Sequence, residues 1–417
     1  MGVAAVVAAG AGAISALANF VDPLPAAGIG AAAGGLALYG ALWWEQRQAA
    51  EAARRAWEAA VTDFPAGDGV RDAAAGTDSL LAALNPDQEV VPFSPLRGPE
   101  VRALVPWGSD LRVWRVAGEA GSGKTRLLVE AAQRLDGQGW RCGWVRRGKA
   151  VDAVAAALLQ DGPVLLIVDD ADTQPDHTDL AGMLTGLIRD REATERVRVV
   201  LAARDFGGWW GHLRESLDPT VHAQLRPPGH TRLSVMGATV VDQQQLFTQA
   251  VGYYSRHFGL ATPTITLTGI TTATSLAELH AAAASAARHG LTGTVPIDDA
   301  LQRLFATEET WWQNNAKDWN VTYPLTVLQA ALTAATLIGA DDSAQMTRRL
   351  RCLPGLTTAP QERLDELALW LHQLYAQRGG EWLDPHLPAR LAERYAATCV
   401  TAQPALPPAL AAAALLT

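Results

Sequence analysis

The stretch that decides the fold is Leu111-Arg112-Val113-Trp114-Arg115-Val116-Ala117 followed by Gly118-Glu119-Ala120-Gly121-Ser122-Gly123-Lys124-Thr125. The first seven residues alternate and are rich in β-formers, so they predict a strand. The next eight have the spacing GxxxxGK[ST], and Thr125 to Leu135 places Leu127, Leu128, Ala131 and Leu135 on one helix face. Strand, glycine-rich turn and helix in that order make a cradle for phosphate. Glycines let successive backbone N–H groups curl around an anion at the helix N-terminus, where the helix dipole favours negative charge. Lys124 adds a fixed cation, and the Thr125 hydroxyl is placed to ligate Mg²⁺. Gly118, Gly121, Ser122, Gly123, Lys124 and Thr125 are thus the expected nucleotide-binding residues.

Working downstream, Gly139 to Val145 predicts a second strand, and Gly162-Pro163-Val164-Leu165-Leu166-Ile167-Val168-Asp169-Asp170 a third. An apolar run ending in carboxylates is a buried parallel strand that delivers acid to the nucleotide edge, the Walker B element. Asp169 is expected to hold Mg²⁺ through its water shell, and Asp170 to orient or deprotonate the attacking water. Asp172 reads as a loop cap. Arg198 to Asp205 predicts a further apolar strand. In a P-loop fold with an additional strand it lies between the P-loop strand and the Walker B strand, which makes Arg204 the candidate sensor of the γ-phosphate. The expected catalytic set is Asp170, Arg204 and Lys124, the metal set Thr125 and Asp169, and the cofactors ATP and Mg²⁺. Trp209 and Trp210 read as packing residues. Nothing like an LSGGQ segment lies between Thr125 and Asp169, which disfavours an ABC transporter subunit.

Composition narrows the class. The chain has 417 residues and a formal net charge of -9, which suggests two or three domains and argues against nucleic-acid binding by bulk positive charge. Cys142, Cys352 and Cys399 are far apart and form no zinc-ligand spacing. Met1 to Val21 and Ala26 to Trp44 are uncharged, each about as long as a bilayer core is thick, and Asp22-Pro23-Leu24-Pro25 breaks them. They predict a hairpin of two transmembrane helices. Arg47, Arg54 and Arg55 follow it, so the positive-inside bias puts the catalytic domain in the cytoplasm and the protein in the cell membrane. Gly30 and Gly34 form a GxxxG, a spacing that lets helices pack closely.

The order of the P-loop, VLLIVDDAD (164–172), VVLAARDFGGWW (199–210) and the lead-in VPFSPLRGPEVRALVPW (91–107) resembles the STAND branch of P-loop ATPases, relatives of AAA+ that act as signalling switches. The likeness continues. Leu304 to Trp312 looks like the family's Glu-x-x-Trp helix, and Leu353 to Leu387 like the winged-helix segment beyond it. The resemblance covers roughly residues 90 to 400 and implies ATP-Mg binding, slow hydrolysis and homo-oligomerisation. Three departures stand out. The lead-in carries Arg97-Gly98 where the family has Gly-Arg, and Thr274 to His280 lacks the proline that the family sets against adenine. The family's repeat array does not follow before Thr417, which implies a separate sensor protein or a shortened chain.

These readings give an expected layout: transmembrane hairpin and exit helix 1–62, linker and lead-in 63–100, α/β P-loop ATPase core 101–240, α-helical lid 241–345, small winged-helix domain 346–400 and apolar tail 401–417. The expected function is a membrane-anchored, nucleotide-dependent signalling or assembly switch. Its rivals are an AAA+-like ATPase that remodels a protein or DNA partner, and a membrane scaffold in which ATP is structural.

Overall fold

The computed structural model describes residues 43–63, 79–85, 88–105, 113–173, 177–190, 195–224, 229–233, 239–374, 382–383 and 389–416. The chain divides into two units, 1–59 and 60–417. In the first, the described residues are helical from 43 and the helix (α1) runs to 60. Arg47 pairs with Glu51, and Arg54 with Glu58, one turn apart on exposed faces, and the Arg47 guanidinium lies over the Trp43 ring. Such pairs stabilise a helix by only a few tenths of a kcal/mol each.

In the second unit, β1 (Val61–Asp63), β2 (Val113–Ala117), β3 (Arg141–Val145), β4 (Val164–Val168), β5 (Val197–Ala203) and β6 (Gly229–Arg232) form one sheet. Their order is β1-β3-β4-β5-β2-β6. Every neighbouring pair is parallel except β1 with β3. The additional strand β5 thus sits between the P-loop strand β2 and the Walker B strand β4, the position expected of it in a P-loop fold with an additional strand. β4 and β5 are buried along their whole length, as strands covered on both faces must be. One face packs α2 (Gly98–Leu104) and α3 (Lys124–Asp136): Val101, Leu104, Leu127, Leu128 and Leu135 close over Val116, Leu165, Ile167 and Val200. Cys142 lies in this layer, and burial pushes its thiol up to about 12, so it is a packing residue and not a nucleophile. Beyond β3 and β4 follow α4 (Ala150–Leu158) and α5 (His177–Arg189). Asp179 of α5 accepts from the Ala150 and Val151 N–H groups at 2.6 and 3.1 Å and so caps α4 from a neighbouring helix.

The remainder is mostly helical. α6 (Val240–His257) starts at Thr239 in a capping box with Asp242. A two-stranded parallel sheet, β7 (Ile265–Thr268) with β8 (Gly293–Pro296), brackets α7 (Leu276–His289). Ala281 to Ala284, Ala286 and Ala287 of α7 are buried, and their small side chains let α6 and α8 (Ile297–Asp318) approach closely. In α8, Glu308 and Trp312 face inward one turn apart, both fully buried. The Glu308 carboxylate accepts from the Ser79 hydroxyl at 3.0 Å and the Leu81 N–H at 3.0 Å. Part of the stretch read as linker is therefore folded into the core as a helical turn, Leu80–Ala83. α9 (Leu325–Ile338), α10 (Ser343–Leu350), α11 (Gln361–Leu374), α12 (Ala389–Ala402) and α13 (Leu406–Ala414) complete the chain. The described part of 346–400 consists of the end of α10, a run of turns at 351–358, α11 and most of α12, with Leu383 in an antiparallel bridge to Ala340; most of the expected wing, around Gly379 to Leu387, lies outside the described residues.

The membrane assignment is corrected. Among the described residues no helix is long and apolar enough to cross a membrane. The apolar spans behind the expected transmembrane hairpin, up to residue 42, lie outside the described residues. Their Ala- and Gly-rich composition carries less hydropathy per residue than a Leu-rich span does. The placement in the cell membrane with two helices is therefore dropped.

Candidate nucleotide site

The loop between β2 and α3 is shaped by glycines. Gly121 and Gly123 have φ of +75° and +91°, left-handed values that only glycine adopts without strain. A Cβ on Gly118 would meet the Ser122 hydroxyl at 2.6 Å. The Gly118 N–H is held by the carbonyls of Ala203 and Arg204 at 3.1 and 3.2 Å, so the end of β5 fixes where the loop begins. Lys124 is buried, and its ammonium donates to the Gly118 carbonyl at 2.9 Å and the Glu119 carbonyl at 3.5 Å. The buried Ser122 hydroxyl has no partner among the described residues.

The Walker B strand reaches this loop as its apolar run implied. The Thr125 hydroxyl donates to Asp169 Oδ2 at 2.7 Å, while Asp169 Oδ1 accepts from the Asp170 N–H at 3.0 Å. β5 separates the two parent strands, yet hydroxyl and carboxylate are in direct contact, so one Mg²⁺ could be held by both. The donors are hard oxygens, the set that Mg²⁺ prefers. Lys124, now satisfied by loop carbonyls, and the unsatisfied Ser122 hydroxyl are placed for phosphate oxygens. The residues present fit ATP-Mg, with Lys124 and the loop amides to hold phosphate and Thr125 and Asp169 to hold the metal.

Asp170 adopts φ +46°, a strained value for a non-glycine residue, and such strain gathers where a side chain is held for function. The residue is exposed by surface area, yet loss of solvent in the cleft is the main influence on its carboxyl, which is pushed up to about 6. Asp169 and Asp172 add to the rise, and Lys124 and Arg204 oppose it. Asp172 Oδ2 accepts from the Arg204 N–H at 3.2 Å, so it caps the end of β5. The Arg204 side chain, about half exposed, extends to Glu393 of α12, with 3.9 Å between Nη1 and Oε1.

Three contacts at this site were not foreseen. Arg97 is buried; it pairs with Glu100 at 3.1 Å and donates to the Ser122 carbonyl at 3.3 Å, so it props the P-loop backbone from beneath. The N-terminus of α7 lies on the loop from the other side: the Ala277 N–H donates to the Gly121 carbonyl at 3.2 Å, and a Cβ on Gly121 would meet Ser275 Oγ at 2.9 Å. Ser275 caps α7 in a box with Glu278, whose fully buried carboxylate also accepts from Arg394 of α12 and lies 3.9 Å from Arg390. Arg390 pairs with Glu393 at 2.9 Å, and that residue leads back to Arg204. The pattern Ser-x-x-Glu is a helix-start signal in any sequence. Its docking onto Gly121 has no local signature. Trp210 is buried beside Phe206 under the Arg115 guanidinium, and Trp209 stacks on His177, so both are packing residues as read. His280 is half-buried against the edge of Tyr254.

A parallel sheet with an inserted strand, a glycine loop closed on lysine and a threonine meeting a strand-end aspartate define a nucleotide-binding P-loop fold. Residues 101–215, which include β2 to β5 and the glycine loop, match the family Novel STAND NTPase 5. No curated protein matches the sequence. Among solved structures, the chain is similar to the Aeropyrum pernix ORC1 protein in complex with DNA, at 16% identity over 76% of this chain and 95% of that one, with a TM-score of 0.35. The Aeropyrum pernix ORC2 protein is similar at 15% identity, 75% and 95% coverage and a TM-score of 0.34. The replication initiator DnaA bound to AMPPCP and single-stranded DNA follows at 11% identity, 69% and 87% coverage and a TM-score of 0.33. At such scores the superpositions agree over only part of the fold, and the assignment rests on the site and the family match.

Proposed function

We propose that the protein is a slow ATP-Mg switch in which the state of the γ-phosphate sets the relation between the P-loop core and the helical region, and through it homo-oligomerisation. Lys124 and the loop amides hold the β- and γ-phosphates, Thr125 and Asp169 hold Mg²⁺, Asp170 orients and deprotonates the water, and Arg204 reads the γ-phosphate. The observation that carries this reading is the double hold of the helical region on the phosphate-facing residues: α7 on Gly121, and Glu393 of α12 on Arg204. An Arg204 side chain drawn onto a γ-phosphate would leave Glu393.

Magnitudes restrict how this works. The Arg204–Glu393 pair is 48% and 41% exposed, and such pairs contribute about 0–1 kcal/mol. A switch from 1:99 to 99:1 needs about 5.5 kcal/mol of differential binding. The pair alone is too weak, so the buried Glu278 cluster and the α7 seam must move with it. The test is sedimentation velocity with ADP-Mg and with a non-hydrolysable ATP analogue, alongside the turnover rate. A shift in oligomer distribution with slow turnover supports the switch. Identical distributions refute it, and fast turnover favours a remodelling ATPase.

A further inference from the structure

On the sheet face opposite α2 and α3, a set of cations converges beside the edge strand β6. Arg115 of β2 pairs in register with His230 of β6, and Ala117 with Arg232, so Arg115, His230 and Arg232 project from one face on strands about 4.8 Å apart. The alternate residues Trp114 and Val116 turn the other way, into the layer of α2 and α3. A further cation comes from the helix Gly208–Glu215, where Trp210 and Arg214 lie one turn apart on the same side. Arg115 packs against that Trp210, its guanidinium carbon 5.1 Å from the ring centre and 5.2 Å from the centre of Phe206. The two rings meet edge to face at 87°, so the guanidinium is set in a corner that fixes its direction.

The charge in this corner is uncompensated. Arg115 Nε is buried with no partner, and the rest of the guanidinium forms no hydrogen bond or ion pair among the described residues. Arg214 and Arg232 form no ion pair among them either. Two carboxylates of the same region are engaged elsewhere, Asp205 by the Gly207 N–H at 2.7 Å and Asp218 by Arg189 at 3.3 Å. Burial first, then Arg214, lower the Arg115 pKa; burial first, then Arg115 and Arg232, lower that of His230. Only cations act on either group. A half-buried charge without a counter-charge is costly, and a folded chain ordinarily supplies one. The donors are in place. Arg214 donates to His222 Nε2, and because a guanidinium has no acceptor that ring is neutral and holds Arg214 without competing for a ligand. His230 is exposed and makes no hydrogen bond among the described residues, so even as the neutral ring it has one N–H to give.

We propose that Arg115, Arg214, His230 and Arg232 bind a phosphate dianion, free or as the monoester of a small molecule. The guanidinium charges of Arg115, Arg214 and Arg232 exceed what a single carboxylate neutralises and suit the charge of about −1.5 to −2 that a phosphate monoester carries at neutral pH. Guanidinium forks also match the spacing of phosphate oxygens. Phe206 and Trp209, both half-buried with ring centres 5.4 Å apart, edge the corner and offer an apolar rest for the organic part of an ester. The site lies across the sheet from α3, and its assignment does not depend on the switch reading.

The test uses inorganic phosphate and phenyl phosphate as probes, with acetate as control, by calorimetry and phosphorus NMR on the full chain, at a pH well above the second phosphate pKa of about 6. A saturating non-hydrolysable ATP analogue with Mg²⁺ fills the P-loop, the γ-phosphate position included, so the probes can bind only elsewhere. The expected result is saturable binding of phosphate or its ester and about tenfold weaker binding of acetate. Arg115→Gln and Arg232→Gln should each weaken the probes about tenfold while leaving the affinity for the ATP analogue unchanged. Arg232 is exposed on the edge strand, so its variant decides the matter if Arg115→Gln disturbs folding. Tighter binding of phenyl phosphate identifies an ester as the ligand, and equal or tighter binding of inorganic phosphate identifies the free ion; both uphold the site. No saturable binding of either probe, acetate bound as tightly, or probe affinity unaltered in Arg232→Gln overturns the proposal.

Discussion

Replacing Glu278 tests the joint between the helical region and the P-loop. Its carboxylate is 1% exposed and accepts from the Ser275 N–H and hydroxyl, both at 2.8 Å, and from Arg394. Glu278→Gln keeps an oxygen for the capping box and removes the charge; Glu278→Ala removes both. Losing a cap costs about 1 kcal/mol. Breaking a buried ion pair costs 3–5 kcal/mol, but Arg394 is 38% exposed and keeps Asp298 at 2.6 Å, so solvent screening reduces this to about 1–2 kcal/mol. The expected destabilisation is thus about 1–2 kcal/mol for Glu278→Gln and about 3 kcal/mol for Glu278→Ala. Urea unfolding followed by far-ultraviolet circular dichroism measures both, and a double-mutant cycle with Arg394→Ala should give an interaction energy of about 1 kcal/mol. Nucleotide release, followed with a fluorescent ADP analogue, should quicken in both variants, because Ser275 and Ala277 press on Gly121. Strict additivity of Glu278→Gln and Arg394→Ala, with unchanged release, would refute the joint.

Lys124→Ala should abolish ATP binding by calorimetry, since the cradle loses its buried cation. Asp170→Asn should bind ATP and lose at least a hundredfold in hydrolysis in a phosphate-release assay; wild-type turnover would transfer the base role to Asp172. Because the Asp170 carboxyl is raised to about 6 and works ionised, hydrolysis should fall about tenfold per pH unit below 6. Asp172→Asn removes a neighbouring negative charge and should move that acid limb to lower pH; an unmoved limb would show that another group titrates. Gly121→Ala combines a left-handed φ with a clash against Ser275 and should destabilise by more than Gly148→Ala, which has φ +66° and open space around it. Equal urea midpoints for the two would deny the seam.

What was legible follows the chemistry. Phosphate and Mg²⁺ demand particular residue types at fixed spacing, so Gly118 to Thr125 and Val164 to Asp170 announced themselves, and the apolar run before Arg204 gave the inserted strand. β6 was invisible because Gly-His-Thr-Arg has no apolar alternation; it is held by β2, whose Trp114 indole donates to Thr231 at 3.0 Å and covers Gly229. β1 is three residues at the end of a helix, too short to signal pairing with β3. Arg97 stood out only through the reversed order of Arg97-Gly98; it supports the loop through a backbone carbonyl that no pattern reveals. The Ser275–Glu278 box was readable as a helix start, but its meeting with Gly121 spans some 150 positions of chain. The apolar spans misled because hydropathy counts side chains and says nothing of where the chain places them.

The strand order also sets a timetable. β2 leaves the ribosome early, yet its partner on one side is β5, whose Val199 pairs with Val113 some 86 positions later, and on the other β6, later still. A nascent chain released as far as Ala171 carries both the glycine loop and the Asp169–Asp170 pair with nothing between them. Closing so large a loop costs entropy before any pairing rewards it. The site is therefore born late and all at once, when β5 slides between two strands already made. Until then the flanks of β2 and β4 are open edges, the kind of surface that chaperones shield.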